Sequence, residues 1–111
     1  CHGGYMTRLY NKEGNLLPEK FVQLGTNQGT YTIDNLNKYK EIVAFGWGYG
    51  WITIGRLNLT LIQNPHFPTE STVYEAGAAD GYEIYFQKMG DNQIRVGHGG
   101  NISNIVVGLV Y

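Results

Sequence analysis

The sequence predicts an all-β fold, an antiparallel, jelly-roll-like β-sandwich of about 8–10 short strands. Apolar and polar residues alternate with a period of two in many short runs, and these runs are rich in β-branched and aromatic residues. Gly, Asn, Asp and Pro separate the runs, and no window of a dozen residues keeps a helical spacing. We expect one domain over residues 1–111.

The strands are expected wherever an alternating run is bounded by turn residues. We place them at Tyr5–Tyr10, Lys20–Leu24, Gly29–Ile33, Glu41–Trp47, Trp51–Ile54, Leu57–Ile62, Ser71–Glu75, Tyr82–Met89, Gln93–Val96 and Ile105–Tyr111. The last strand is apolar on both faces, which predicts a central position in a sheet or a partner on its second side.

Two connections carry clear local signals. Asp34 is expected to cap a single helical turn, after which Leu36 and Tyr39 point into the core. Residues 89–93 contain Gly, Asp and Asn between two alternating runs, which predicts a β-hairpin.

Two further segments are expected to be loops. Asn64–Thr69 contains two prolines and cannot be a central strand, so we predict a rigid loop with His66 and Phe67 at its tip. Residues 75–82 are rich in small side chains, which leaves room for a ligand or a neighbouring subunit and places Asp80 as an acceptor of sugar hydroxyls. A flexible connection is the alternative interpretation of this segment.

Aromatic rings alternate with glycines from residue 45 to residue 51. The rings are Phe45, Trp47, Tyr49 and Trp51. In an extended strand all four would share one face, while the glycines would leave the other face bare. The ringed face is either core or subunit interface, or a platform on which a flat ligand such as a sugar stacks. Phe45 is expected in the core, and Tyr49 and Trp51 are the rings expected to reach solvent.

Several side chains are candidates for contact with a ligand. They are Trp47, Tyr49, Trp51, His66, Tyr74, Asp80 and Tyr82. Flat rings can stack on the C–H face of a pyranose, and their O–H and N–H groups can bond its hydroxyls without any charge.

Composition and motifs argue against other classes of function. The net charge of −1 and the lack of clustered Lys and Arg predict no nucleic-acid binding, and no apolar run is long enough to predict membrane insertion. No catalytic motif is present, so no catalytic residue is assigned and no enzyme is expected. His2, His66 and His98 are isolated in the sequence, so neither a metal site nor a cofactor is expected.

Three stretches, taken in order, resemble the C-terminal receptor-binding domains of bacteriophage and prophage tail-fibre proteins. They are residues 7–12 followed by 29–34, residues 36–45, and residues 94–96 followed by 102–109. The first is similar to the opening strands of that family. The second is similar to a turn in which an aromatic ring plugs the core, and the third to the terminal hairpin. The aromatic–glycine run and the proline-containing loop depart from the family pattern.

The resemblance implies the distal tip of a longer fibre protein, located on the virion and therefore extracellular. It implies a homotrimer that recognises a bacterial surface polysaccharide or a surface protein for host adsorption. No binding residue can be transferred by motif, because the family's binding residues are not fixed in sequence. Two other functions fit the residues: a monomeric carbohydrate-binding, lectin-like module of a secreted protein, and a purely structural trimerisation domain.

Overall fold

The computed structural model describes residues 12–14 and 20–111, which form two four-stranded antiparallel sheets packed face to face. This confirms the antiparallel β-sandwich expected from the alternating runs. The eight strands are β1 (Phe21–Gly25), β2 (Gly29–Thr32), β3 (Glu41–Gly48), β4 (Trp51–Asn58), β5 (Thr72–Glu75), β6 (Ile84–Gly90), β7 (Gln93–His98) and β8 (Asn104–Val110). The strand expected at Tyr5–Tyr10 lies outside the described residues.

The first sheet has the strand order β1-β8-β3-β4, and the second has the order β2-β7-β6-β5. Pairing of β1 with β8 and of β2 with β7 joins distant parts of the chain, as in a jelly roll. The hairpins β3–β4 and β6–β7 instead keep sequence neighbours side by side in one sheet. The predicted hairpin at residues 89–93 is therefore confirmed, and β8 takes the central position that its apolar residues indicated.

The core fills the space between the two sheets, and period-two alternation supplies it. On β3, Ile42 and Ala44 point inward, and on β6, Ile84 and Phe86 do the same. The other main core residues are Ile33, Leu36, Leu57, Leu59, Ile62, Tyr82, Ile94, Val96, Ile102, Ile105, Val107 and Leu109. Leu36 is buried and Tyr39 is half-buried against this core, as the sequence predicted.

The β3–β4 hairpin overturns the expectation that all four rings share one face. Its strands are joined by a two-residue turn in which Tyr49 has φ 51° and Gly50 has φ 83°, as a type I′ turn requires. Because the chain reverses there, Trp51 pairs with Gly48 and shares the inward face, whereas Phe45 and Trp47 point outward and stack at 5.8 Å. Phe45 is half-buried on the outside of the sheet, so its expected place in the core is wrong.

Local capping explains two further corrections. The chain from Leu57 does not continue as a strand to Ile62, because the Asn58 side chain accepts hydrogen bonds from the amides of Thr60 and Leu61 and starts a single helical turn, α1 (Leu59–Ile62). A short 3₁₀ turn spans Leu36–Lys38. Its first flanking residue is Asn35 in a left-handed conformation, with no side-chain cap, so Asp34 does not cap it.

The two ends of the sandwich differ in what they carry. At the end that we call the base, the backbones of Lys20 and Tyr111 exchange hydrogen bonds of 3.1 and 3.3 Å, near α1 and the 3₁₀ turn. At the other end, the loop end, the Tyr49–Gly50 turn meets the loops 76–83 and 99–103. The predicted loop 64–69 is confirmed at the base, but Phe67 packs against the core and is not an exposed tip.

Candidate functional site

Three of the candidate rings lie at or beside the loop end and are exposed to solvent. Tyr49 is 82% exposed on the hairpin turn, and Trp51 is 55% exposed at the start of β4. Tyr74 is 61% exposed on β5, where it pairs with Tyr85 on the outer face of the second sheet, close to the carboxylates of loop 76–83. They stand on separate elements and make no ring-to-ring contact with one another among the described residues. The loop end therefore presents several separate aromatic surfaces around one set of loops.

Asn101 connects these loops through hydrogen bonds. Its side-chain amide donates to the carbonyl oxygen of Asp80 at 3.0 Å, and its backbone amide donates to the carbonyl oxygen of Gly81 at 2.8 Å. Its own carbonyl lies where a side chain at residue 48 would project, so only glycine fits at Gly48. The bare side of the aromatic–glycine run thus admits a loop backbone, which places loops 76–83 and 99–103 beside the Tyr49 turn.

Tyr74 and two carboxylates form a polar group on the same end. Partial desolvation of the Tyr74 ring raises the pKa of its hydroxyl, and the negative charges of Glu83 and Asp80 and a hydrogen bond to Glu83 raise it further. Glu83 also accepts a hydrogen bond from the Gly81 amide at 3.1 Å. The Tyr74 hydroxyl therefore donates its one proton to Glu83, and its oxygen remains able to accept a hydrogen bond.

The charges at the loop end are of one sign. Glu75, Asp80 and Glu83 lie there, and the segments 49–51, 76–83 and 99–103 contain no Lys or Arg. The acidic character of these described loops disfavours a polyanionic ligand, since like charges raise the cost of association.

The other candidates are not part of this group. Tyr82 is buried in the core, where its carbonyl accepts a 2.6 Å hydrogen bond from the Thr53 hydroxyl, so its ring is not available to a ligand. His66 lies in the loop after α1 at the base, at the opposite end from Tyr49. Trp47 is 38% exposed, but it lies on the outer face of the first sheet.

The outer face of the first sheet also carries a groove. A groove of about 280 Å³ lies over its base half. Its lining residues are Lys20, Phe21, Val43, Phe45, Ile54, Arg56 and Val110. An ion pair between Arg56 and Glu41 lies at its margin. The groove is open and mainly apolar.

The sequence analysis missed Asn101 and Glu83 at the loop end. Asn101 donates to Asp80, which only the fold brings near it, and Glu83 accepts from the amide of Gly81 two residues earlier, a contact that no recognised sequence motif marks. The flanking Gly99 and Gly100 are the sequence signal that could have drawn attention to Asn101, since glycines mark close approach of backbones.

Comparisons with family models, with curated proteins and with solved structures found no match to this chain. Within the described residues, no helix is both long and apolar enough to cross a membrane. No group of three His, Cys, Asp or Glu side chains in the described parts of the chain is placed to hold a metal ion.

Proposed function

We propose that this chain is the receptor-binding tip of a phage tail fibre and that its loop end binds a neutral glycan of the bacterial surface. The observation that carries this proposal is the position of three exposed rings, Tyr49, Trp51 and Tyr74, at the end of the sandwich farthest from Lys20. A chain held at its base would present this end outward.

The chemistry of the loop end suits a sugar. Each exposed ring offers a flat apolar face for the C–H surface of a pyranose, while the carboxylate of Asp80 and the oxygen of the Tyr74 hydroxyl offer acceptors for its hydroxyls. The three carboxylates and the lack of Lys and Arg in these loops favour a neutral glycan over an acidic one. A single site of this kind is expected to be weak, and several copies on one fibre would raise the overall avidity.

The test is binding of the full chain to an array of bacterial surface polysaccharides, neutral and acidic. Tyr49→Asn removes a ring while creating an Asn-Gly turn, the sequence that a type I′ turn prefers, so the hairpin is retained. We expect this variant and Trp51→Ala each to lose about tenfold or more in apparent affinity for a neutral glycan, with little change in melting temperature.

His66→Ala is the matched control, because His66 is exposed at the base. We expect it to bind as the parent chain does. Binding only to acidic polysaccharides, or equal binding by the parent chain and the two loop-end variants, would contradict the proposal. A large fall in melting temperature for Trp51→Ala would favour the purely structural function instead.

A further inference from the structure

The outer face of the first sheet is apolar over most of its area. Its exposed or half-buried apolar residues are Phe21, Phe45, Trp47, Ile52, Ile54 and Val106, which we call the apolar outer face. Polar residues at its margin are Gln23, Glu41, Arg56, Asn58 and Asn104. Ile52 is 68% exposed and Ile54 is 52% exposed. Val43 and Val110 are buried but do not belong to the core between the sheets. Apolar side chains are therefore buried on the outside of the first sheet as well.

The first sheet is large enough to form the centre of a stable interface. Its strands β1, β8, β3 and β4 are 5, 7, 8 and 8 residues long, and at about 3.3 Å per residue and about 4.8 Å between strands they cover roughly 440 Å² in projection before the relief of the side chains is counted. Stable interfaces bury about 800 Å² of accessible surface on each partner, and isolated proteins rarely expose an apolar patch larger than a few hundred Å².

The shape and charge of this face suit a copy of itself. The groove lies over the base half, where Phe21 and Val110 line it, while the paired residues Trp47 and Ile52, 38% and 68% exposed, lie nearer the loop end. A surface that holds both a groove and exposed large side chains can be complementary to itself. Of its charged groups, Glu41 and Arg56 pair with each other, and Lys20 lies at the base side of the groove, away from Ile52 and Trp47.

The edge of the sheet adds to the same surface. β4 is an edge strand of eight residues, and no backbone hydrogen bond joins it to any described strand other than β3. Long edges with exposed apolar residues are usually covered in native proteins.

We propose that the apolar outer face is a self-association surface, covered in solution by a second copy of this chain. The proposal does not depend on glycan binding, because the face lies beside the loop end and not on it. The occupant that the face requires is broad and apolar at its centre, and a second apolar outer face meets both requirements.

The test compares two double variants of the full chain. Ile52→Glu with Ile54→Glu places two unpaired charges on the apolar outer face, at positions that are more than half exposed within one subunit. Thr30→Glu with Thr32→Glu places the same charges on the exposed outer side of β2, in the second sheet, and is the matched control. Solution mass is measured by sedimentation at micromolar concentrations, and the fold is checked by circular dichroism.

We expect the parent chain and the control to associate, and the Ile52/Ile54 variant to associate more than about a hundredfold more weakly, because burying unpaired charges is costly. If that variant does not fold, Ile52→Thr with Ile54→Thr keeps the β-branched shape and is expected to weaken association by about tenfold. A monomeric parent chain, or equal association of the parent and every apolar-face variant, would overturn the proposal.

A second measurement separates a copy of this chain from another occupant. Trp51→Phe leaves Trp47 as the only tryptophan, and its quenching by acrylamide reports whether the apolar outer face is covered. We expect the shielding of Trp47 to fall on dilution, together with the solution mass. Shielding in a monomer, independent of concentration, would show that another part of the same chain covers the face and would overturn the proposal.

Discussion

The two sheets have similar inward faces and opposite outward faces. Along β4 the outward residues include Ile52 and Ile54, whereas along β7 they are Gln93 and Arg95. Thr30, Thr32 and Gln87 continue the polar surface of the second sheet, where Gln87 donates to the Thr72 hydroxyl at 3.2 Å. Apart from the rings of Tyr74 and Tyr85, the second sheet therefore shows what a water-facing sheet of this fold looks like, and the first sheet does not resemble it.

Both outer faces share one local arrangement, an aromatic ring packed over a glycine. Gly108 on β8 lies beneath the ring of Phe21, and Gly97 on β7 lies beneath the ring of Tyr85. An aromatic ring over a glycine is thus a way of covering bare backbone on either face. A single exposed ring over a glycine is not evidence of a binding surface here, whereas the continuous apolar area around Ile52 is.

The largest expected effect on stability comes from placing a side chain on the glycine face of β3. In Gly48→Val the new side chain would overlap the carbonyl of Asn101, which is backbone and cannot swing away. We expect the free energy of unfolding to fall by about 1–3 kcal/mol, measured by denaturant titration. Gly100→Ala is the control, because nothing lies within 4 Å of the added methyl, and it is expected to change stability by less than about 0.5 kcal/mol. Equal effects of the two substitutions would contradict the described packing.

An equal or smaller effect on stability is expected from substitutions that distinguish the two outer faces. Gly97→Ala places a methyl group under the ring of Tyr85, which must move, and is expected to lower the free energy of unfolding by about 1 kcal/mol. Gly108→Ala places a methyl group under the ring of Phe21 and also against the backbone carbonyl of Val22, so it is expected to lower the free energy of unfolding by more, about 1–3 kcal/mol. Only Gly108→Ala moves Phe21 and so reshapes the groove on the apolar outer face. We therefore expect weaker self-association for Gly108→Ala alone, measured by solution mass. The same loss for Gly97→Ala would show that the two outer faces are not distinct in function.

The smallest effect concerns ionisation on the second sheet. Because desolvation and the carboxylates of Glu83 and Asp80 raise the pKa of Tyr74, its contribution to stability is complete below the ordinary tyrosine pKa of 10.0 and is lost as the pH rises through the folded-state pKa. Glu83→Gln should lower the pKa of Tyr74, seen as the difference between ultraviolet titrations with and without Tyr74→Phe. An unchanged Tyr74 titration would contradict the proximity of Glu83.

The sequence predicted the sandwich because alternation is a property of each strand alone. The parity of Ile84 and Phe86, the hairpin at 89–93 and the central position of β8 all follow from residues close in the chain. The same local reasoning failed at Tyr49, where a two-residue turn with a non-glycine residue at positive φ reversed the strand and divided the rings between two faces.

The candidate site was predicted only in part, since its assembly depends on which loops meet. Nothing near Tyr74 or Trp51 in the sequence indicates that both lie at one end, and nothing near His66 indicates that it lies at the other. The apolar outer face was missed for a simpler reason. The expected strand was ended at Ile54, so the outward parity of Ile52 and Ile54 along one continuous β4 was not recognised.

The backbone pair between Lys20 and Tyr111 has a mechanical consequence. If the loop end is bound to a surface while the chain is pulled at Lys20, the force acts along β1, parallel to the axis of the strand. The hydrogen bonds of β1 to β8 lie across that axis, so they are loaded together in shear and do not open one at a time. A pull along this direction is thus resisted by the whole β1–β8 ladder at once.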